Sequence, residues 1–224
     1  MKKSVGILAT KKLTLSQKQH LLNAGLKVID EDFIQIQPIA FEIKNTNDIL
    51  IFTSQNAVQN VLNYKEKLTH KPTICVGEKT KKILLDNGFA VTHSQKEASE
   101  LIPIIENNYF DKSFSFFCGS SKLNTIPDFL TKKKIKHQII EVYETSETPV
   151  KIAPKMDGIL FFSPSGVFSY ISENKITNEI CFCIGNSTAK AIEPYSKNYV
   201  IANQSTVENV IIQCINYFKS TKND

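Results

Sequence analysis

The sequence predicts an α/β protein of two similar domains, each a parallel sheet flanked by helices. A two-stranded β linker is expected to join them, with an active-site cleft between them. Three observations predict this. Short β-branched and aromatic runs alternate with helical patterns along the chain, which is how βαβ units read. A length of 224 residues is long for one small domain and comfortable for two. The third observation is an internal repeat. ILIFTSQNAVQNVL, from Ile49, matches ILFFSPSGVFSYIS, from Ile159, with Phe52 on Phe162. ICVGEKTKKIL matches CFCIGNSTAKAI, with Gly77 on Gly185 and Thr80 on Thr188. The helix starting near Glu97-Ala98-Ser99 matches the one near Ser205-Thr206-Val207. All three pairs keep the same order at nearly one offset, so the chain is a duplicated α/β unit.

In order, strands are expected at SVGILAT, KVIDEDFIQIQPIAFEI, DILIFTS, PTICVGE, AVTHS, SFSFFCG, HQIIEVYET, DGILFFSP, EICFCIG and NYVIANQ. Helices follow most of them. Ser16 is placed to start the first, with Leu15, Leu21, Leu22 and Leu26 as its apolar stripe and Gly25 near its end. Asn87-Gly88 stops the helix TKKILLD. The repeat leaves over an N-terminal strand–helix–strand and two extended stretches, FIQIQPIAFEI and QIIEVYETSE. This assigns residues 1–36 and 146–224 to one discontinuous domain and 41–142 to an inserted one. Residues 37–40 and 143–145 become the linker strands. A double crossing makes a hinge, and a hinge implies a cleft that opens and closes.

Hydrophobic content of 42% with 22% charged residues is that of a soluble globular protein. No apolar stretch reaches the roughly 18 to 20 residues of a membrane-spanning helix. The start MKKSVGILATKK has too short an apolar run for a signal peptide, so it reads as a first strand, and a cytoplasmic protein is expected. The cysteines (Cys75, Cys118, Cys181, Cys183, Cys214) are odd in number and lie in apolar runs, without a second pair at zinc spacing. They read as buried reduced thiols. His20, His70, His93 and His137 are scattered in polar segments, and no metal site is expected. All 27 basic residues are lysine, for a net charge of +5. A bound anion must therefore be held by lysines, hydroxyls or backbone N–H groups at helix starts, not by arginine forks. The run Lys132-Lys133-Lys134 with Lys136 reads mainly as a solvated helix end that complements the helix dipole. A substrate or nucleic-acid footprint is the lesser alternative, and no interleaved aromatics support nucleic-acid binding.

Five strands end in small or hydroxyl-rich turns read as opening helices: Thr53-Ser54-Gln55-Asn56, Gly77-Glu78-Lys79-Thr80, Gly119-Ser120-Ser121, Ser163-Pro164-Ser165-Gly166 and Gly185-Asn186-Ser187-Thr188. Ligands of open parallel sheets bind at the carboxyl ends of the strands. Each turn alone is an ordinary N-cap. The set, with matched positions in both halves, suits several carboxylates or phosphates at once. No phosphate loop, G-x-G-x-x-G, G-x-S-x-G, H-E-x-x-H or Cys-His arrangement occurs. Catalysis would then rest on positioning and weak acids.

The segments IFTS-x-x-AV (Ile51–Val58), VG-x-x-T (Val76–Thr80), CG (Cys118-Gly119), VY-x-T (Val142–Thr145), FFSPSG (Phe161–Gly166) and IG-x-[ST]-T-A (Ile184–Ala189) occur in that order. Together they resemble the uroporphyrinogen-III synthase family over nearly the whole chain. The resemblance implies a cofactor-free lyase that closes hydroxymethylbilane, a linear tetrapyrrole with eight carboxylates, to uroporphyrinogen III. Water is lost and ring D is inverted through a spiro intermediate. Tyr143 matches the family's cleft tyrosine and becomes the candidate catalytic residue. Thr53, Ser54, Gly77, Thr80, Gly119, Ser120, Ser163, Ser165, Gly166, Gly185, Ser187 and Thr188 become candidate substrate-binding residues. Asn56 stands where many relatives carry a basic residue. The implied partners are the bilane and, transiently, the deaminase that makes it. A monomer is expected, with neither nucleic acid nor membrane as partner. The competing expectation is a non-enzymatic two-lobed sensor that binds a tetrapyrrole or anion.

Overall fold

A computed structural model of the chain describes residues 4–220. Met1, Lys2 and Lys3 of the basic start lie outside them. In chain order the elements are β1 (Gly6–Ala9), α1 (Leu15–Asn23), β2 (Lys27–Asp30), β3 (Ile34–Pro38), β4 (Ile49–Phe52), α2 (Gln55–Val61) and, after a 3-10 turn, α3 (Lys65–Leu68). Then come β5 (Pro72–Val76), α4 (Glu78–Asp86), β6 (Ala90–Gln95), α5 (Ala98–Asn108), β7 (Phe114–Gly119), α6 (Thr125–Lys132) and β8 (His137–Glu147). The last are β9 (Gly158–Phe161), α7 (Pro164–Glu173), β10 (Ile180–Cys183), α8 (Asn186–Ile192), β11 (Tyr199–Ile201) and α9 (Val207–Ser220). The expected alternation of strand and helix is what the chain builds.

The chain divides into two compact units. One holds the described residues up to Gln35 together with those from Ser146 onward, and the other is Ile36–Thr145. The first contains a sheet of order β11-β10-β9-β1-β2, all parallel. The second is built on the order β3-β8-β7-β4-β5-β6, parallel from β8 to β6. Its edge strand β3 is antiparallel to β8. Ile39 N–H reaches the Val142 carbonyl and Thr148 N–H reaches that of Phe33, so rising numbers on one strand meet falling numbers on the other.

The two sheets share one topology. Strands β4, β5 and β6 correspond to β9, β10 and β11, and β7 and β8 correspond to β1 and β2. The third strand–helix–strand of one sheet is thus supplied to the other by the start of the chain. The structure also corrects the repeat by one residue. Phe52 and Phe161 are both fully buried at strand ends, whereas Phe162 is only partly buried. Two residues on, Ser54 and Ser163 are the matched N-caps.

Strands buried on both faces need helices on both. In the second unit, Ile49, Ile51, Phe114 and Phe116 face Leu101, Ile105, Ile126 and Leu130 of α5 and α6. Their neighbours Leu50, Phe52 and Phe117 face Ala57, Val58 and Leu84 of α2 and α4. In the first, Ile7, Ala9 and Leu160 meet α1 and α9, while Leu8, Ile159 and Phe161 meet α7 and α8. The five cysteines are buried and unbridged, as a reduced core requires.

Three local expectations fail. The cap of α1 is Thr14, whose hydroxyl accepts from Gln17 N–H in a capping box, and Ser16 lies inside the helix. Of the leucine stripe, Leu21 and Leu26 are buried, but Leu15 is 82% exposed and Leu22 is 50% exposed. Leu15 and Leu22 are seven residues apart and so share a face, which is the outer one. The long run from Lys27 is two strands, and β3 ends at Pro38, which has no N–H to continue a ladder. Beyond it, Phe41 and Ile43 turn in against the α2 side of the core, with the Phe41 and Tyr64 rings 5.1 Å apart.

The exposure of the stripe sets a contrast. Leu21→Ala is expected to destabilise by about 2–5 kcal/mol through transfer and cavity terms. Leu22→Ala is expected to change stability by no more than about 0.5 kcal/mol. Denaturant unfolding of the two variants measures the difference.

Candidate active site

In each sheet two neighbouring strands send their chains to opposite sides. In the second unit β4 leads through α2 and α3 to β5, while β7 leads through α6 to β8. The turns after β4 and β7 diverge and leave a crevice at the carboxyl ends, the usual ligand position in such sheets. The corresponding pair in the first unit is β9 and β1.

The turn after β4 is Thr53-Ser54. Ser54 is extended (φ −148°, ψ 147°), and its Oγ accepts from Ala57 N–H at 3.0 Å, capping α2. The turn after β7 is Gly119-Ser120. It does not open a helix as expected: Lys122 to Asn124 intervene and α6 starts only at Thr125. That loop is instead tied to β8. Ser120 N–H donates to the Tyr143 carbonyl at 3.0 Å, and Thr145 N–H donates to Ser120 Oγ at 3.1 Å.

Tyr143 lies over this crevice. Its Oη is 3.0 Å from Ser54 Oγ. Its ring rests on Gly119, where a Cβ would overlap Cε2 and Cζ and stand 2.8 Å from Oη. Only glycine admits the ring there. A register shift aims the side chain. Cys118 is opposite Glu141, but Gly119 is opposite Tyr143, so Val142 is an extra residue on β8. Ile140, Val142 and Tyr143 consequently all pack on the α2 side. Strict alternation would have turned Tyr143 to the other face. Beneath it, Phe52 and Phe117 stack with centroids 5.1 Å apart and interplanar angle 7°, bracing β4 against β7. Burial pushes the phenol above its ordinary value of 10.0, and the Ser54 hydrogen bond pulls it partway back. At neutral pH Tyr143 is a protonated weak acid.

The structure therefore joins Ser54, Gly119, Ser120 and Tyr143 by direct contact, with Thr53 alongside in the chain. Gly77 and Thr80 stand one strand away, at the start of α4. Gly77 has φ +89°, and Thr80 is buried. In the first unit Ser163 Oγ accepts from Gly166 N–H at 3.0 Å, and Ser165 is partly exposed. Gly185 and Ser187 begin α8, where Thr188 is fully buried and its Oγ1 has no partner among the described residues. Thr80 and Thr188 thus point into the protein, unlike the exposed Ser120 and Ser187.

Sequence reading missed the turn after β1. Thr10 is buried there, its Oγ1 donating to the Leu160 carbonyl at 2.9 Å, and a Cβ on Gly166 would lie 3.5 Å from that oxygen. Lys12 Nζ is held by Glu31 at 2.6 Å and by the Asp30 carbonyl at 2.7 Å. Nothing in Thr10-Lys11-Lys12 resembles the other turns, so only the pairing of β1 with β9 could reveal it. Lys122 was missed too. Its ammonium is 2.7 Å from Glu141, with 18% of the side chain exposed, and that hydrogen bond raises its pKa. Among the described residues no group of three His, Cys, Asp or Glu could hold a metal ion. Burial pushes Cys118, Cys181 and Cys183 up to about 12, so they stay thiols.

Comparison with known proteins bears on the fold and the family. A family model described as uroporphyrinogen-III synthase HemD (HEM4) matches residues 16–212. The crystal structure of uroporphyrinogen-III synthetase from Helicobacter pylori superposes with a TM-score of 0.68 at 19% identity, covering 95% of this chain and 99% of that one. A mutant uroporphyrinogen III synthase from the extremely thermophilic bacterium Thermus thermophilus gives 0.74 at 11% identity, covering 99% and 100%. The wild-type enzyme of that organism gives 0.55 at 12% identity, covering 97% and 99%. No curated protein sequence matches. At these identities the structures attest the fold, while the family match spans most of the chain. The chain belongs to the uroporphyrinogen-III synthase family, the cyclising hydro-lyases of haem biosynthesis.

Proposed function

We propose that the chain closes hydroxymethylbilane to uroporphyrinogen III with inversion of ring D and loss of water, and that Tyr143 is its proton donor. The observation that carries the assignment is the phenol oxygen at the carboxyl ends of β4 and β7, bonded to Ser54 and lying over Gly119. The chemistry needs little more than one weak acid. Electron density from the terminal pyrrole expels the hydroxyl as its C–O bond breaks, and the phenol proton turns the leaving group into water. The methylene carbon is then attacked by ring D to give the spiro centre. Reopening and reclosure invert that ring, and the proton lost when the last ring becomes aromatic returns to the tyrosinate.

The rest of the task is positioning. Unaided, the bilane closes without inversion, so the protein must hold a flexible octa-anion in the folded path. The donors that suit it are the turn hydroxyls and N–H groups at Thr53, Ser54, Ser120, Ser163, Ser165, Gly185 and Ser187, with lysines supplying the charge. Gly77 and Gly166 shape their turns, their N–H groups bonded to the Gln95 carbonyl and Ser163 Oγ. Thr80 and Thr188 support those turns from within. The same reading has the enzyme act as a cytoplasmic monomer that takes the bilane from the deaminase that makes it. Among the described residues no helix is long and apolar enough to cross a membrane.

The test supplies porphobilinogen and a bilane-forming deaminase, then separates the oxidised porphyrins by isomer. Isomer III should predominate, and predominance of isomer I would overturn the assigned reaction. Tyr143→Phe should lower the rate of isomer III formation about tenfold or more, and near-normal turnover would remove Tyr143 from the mechanism. Gly119→Ala, which displaces the ring, should approach the Tyr143→Phe rate. Because the acid form is the active one and burial raises its pKa above 10.0, wild-type kcat should show no loss from Tyr143 ionisation between pH 7 and 9. A loss of kcat in that range that disappears in Tyr143→Phe would overturn the raised pKa of the phenol.

A further inference from the structure

We propose that Ser54 is a positioning residue that sets the direction of the Tyr143 proton, an inference that rests on Tyr143 being the proton donor. A serine hydroxyl has one proton and two lone pairs. At Ser54 one lone pair is committed to Ala57 N–H at 3.0 Å, which fixes Oγ at the start of α2. The other short contact is Tyr143 Oη, also at 3.0 Å. Either hydroxyl can donate across that contact, and the cap biases the sense. An oxygen that accepts from an N–H is polarised, which strengthens its own O–H as a donor. Once the phenol proton is directed to the leaving hydroxyl of the substrate, Ser54 is the group left to donate to Tyr143 Oη.

Two consequences follow for the phenol. Its own proton is not spent on Ser54 and is left for the leaving hydroxyl of the substrate. After transfer, the charged oxygen already has a donor aimed at it, with no reorientation at the moment of reaction. A hydrogen bond to the charged form is stronger than one to the neutral form, so the contact favours the transferred state. The same bond pulls the phenol's pKa down against the upward push of burial. Gly119 completes the arrangement, because the absent Cβ leaves Oη uncrowded on that side.

The experiment measures kcat and KM for isomer III formation by the full chain carrying Ser54→Ala, Ser54→Thr, Ser54→Asp, Tyr143→Phe and the Ser54→Ala/Tyr143→Phe pair. Ser54→Ala should lower kcat about tenfold or more with KM changed less than about twofold, and Thr should recover most of the loss. Asp keeps an acceptor for the Ala57 cap but cannot donate, so a folded Ser54→Asp protein should also have low kcat. That variant keeps the proposal testable if the alanine protein does not fold. The double variant should be no slower than Tyr143→Phe alone, because Ser54 acts through the phenol. Multiplying losses in the double variant, normal kcat in Ser54→Asp, or an effect on KM alone would overturn the role of Ser54. If Tyr143→Phe itself is unimpaired, the assignment of Tyr143 fails first, and the two failures are told apart.

Discussion

The close approach of the Tyr143 ring to the backbone at Gly119 is the constraint on which the site depends. A buried phenol needs a partner for its hydroxyl and a surface for its ring, and the second sheet provides both at one point. The ring occupies space that any other residue at position 119 would fill. The hydroxyl reaches the cap of α2. Because Ser120 N–H holds the Tyr143 carbonyl and Ser120 Oγ holds Thr145 N–H, the backbone is gripped on both sides of the side chain. The stacked Phe52 and Phe117 rings brace the two strands whose ends form the crevice. A weak acid is useful only when held in place, and here the holding is done by backbone, two serines and two core aromatics.

The duplicated architecture makes strand-end turns of one kind twice. Each unit repeats one sheet order with diverging turns at its centre, and each places a serine N-cap after the central strand, Ser54 in one and Ser163 in the other. The units are nonetheless specialised. Among the described residues, the second bonds its cap to a tyrosine hydroxyl. In the first, the equivalent place is taken by the buried Thr10 hydroxyl, with Lys12 drawn back onto Glu31 and Asp30. The absence of arginine throughout means that the eight carboxylates of the bilane must meet ammonium groups, hydroxyls and amides. These are point donors without the bidentate fork, suited to many adjustable contacts on a flexible substrate.

Much of this was legible in the order of residues. The strands appear as apolar runs because they are buried on both faces, and the N-caps appear as Ser54 and Ser163 because an orphan N–H needs a nearby oxygen. The family motifs gather Tyr143 and the turns into one group. Less was legible where a local rule has two equally good outcomes. Leu15 and Leu22 repeat at helical spacing, yet their shared face is the outer one, since the short α1 needs only Leu21 and the following Leu26 to cover its part of the sheet. The repeat was readable only to within one residue, because Phe161 and Phe162 are identical side chains and only burial separates them.

By itself the sequence determined the α/β class, the duplication, the lysine-only chemistry and the family, for all of these follow from composition, period and motif. The tertiary structure decided the rest. It placed β1 beside β9, which makes Thr10 part of a strand-end crevice that no local pattern announces. It also inserted Val142 as an extra residue opposite Gly119, turning Tyr143 from the face of Glu141 to that of Ser54. A bulge of this kind belongs to the pairing of two strands far apart in the chain. Its cause therefore cannot be read in either strand alone.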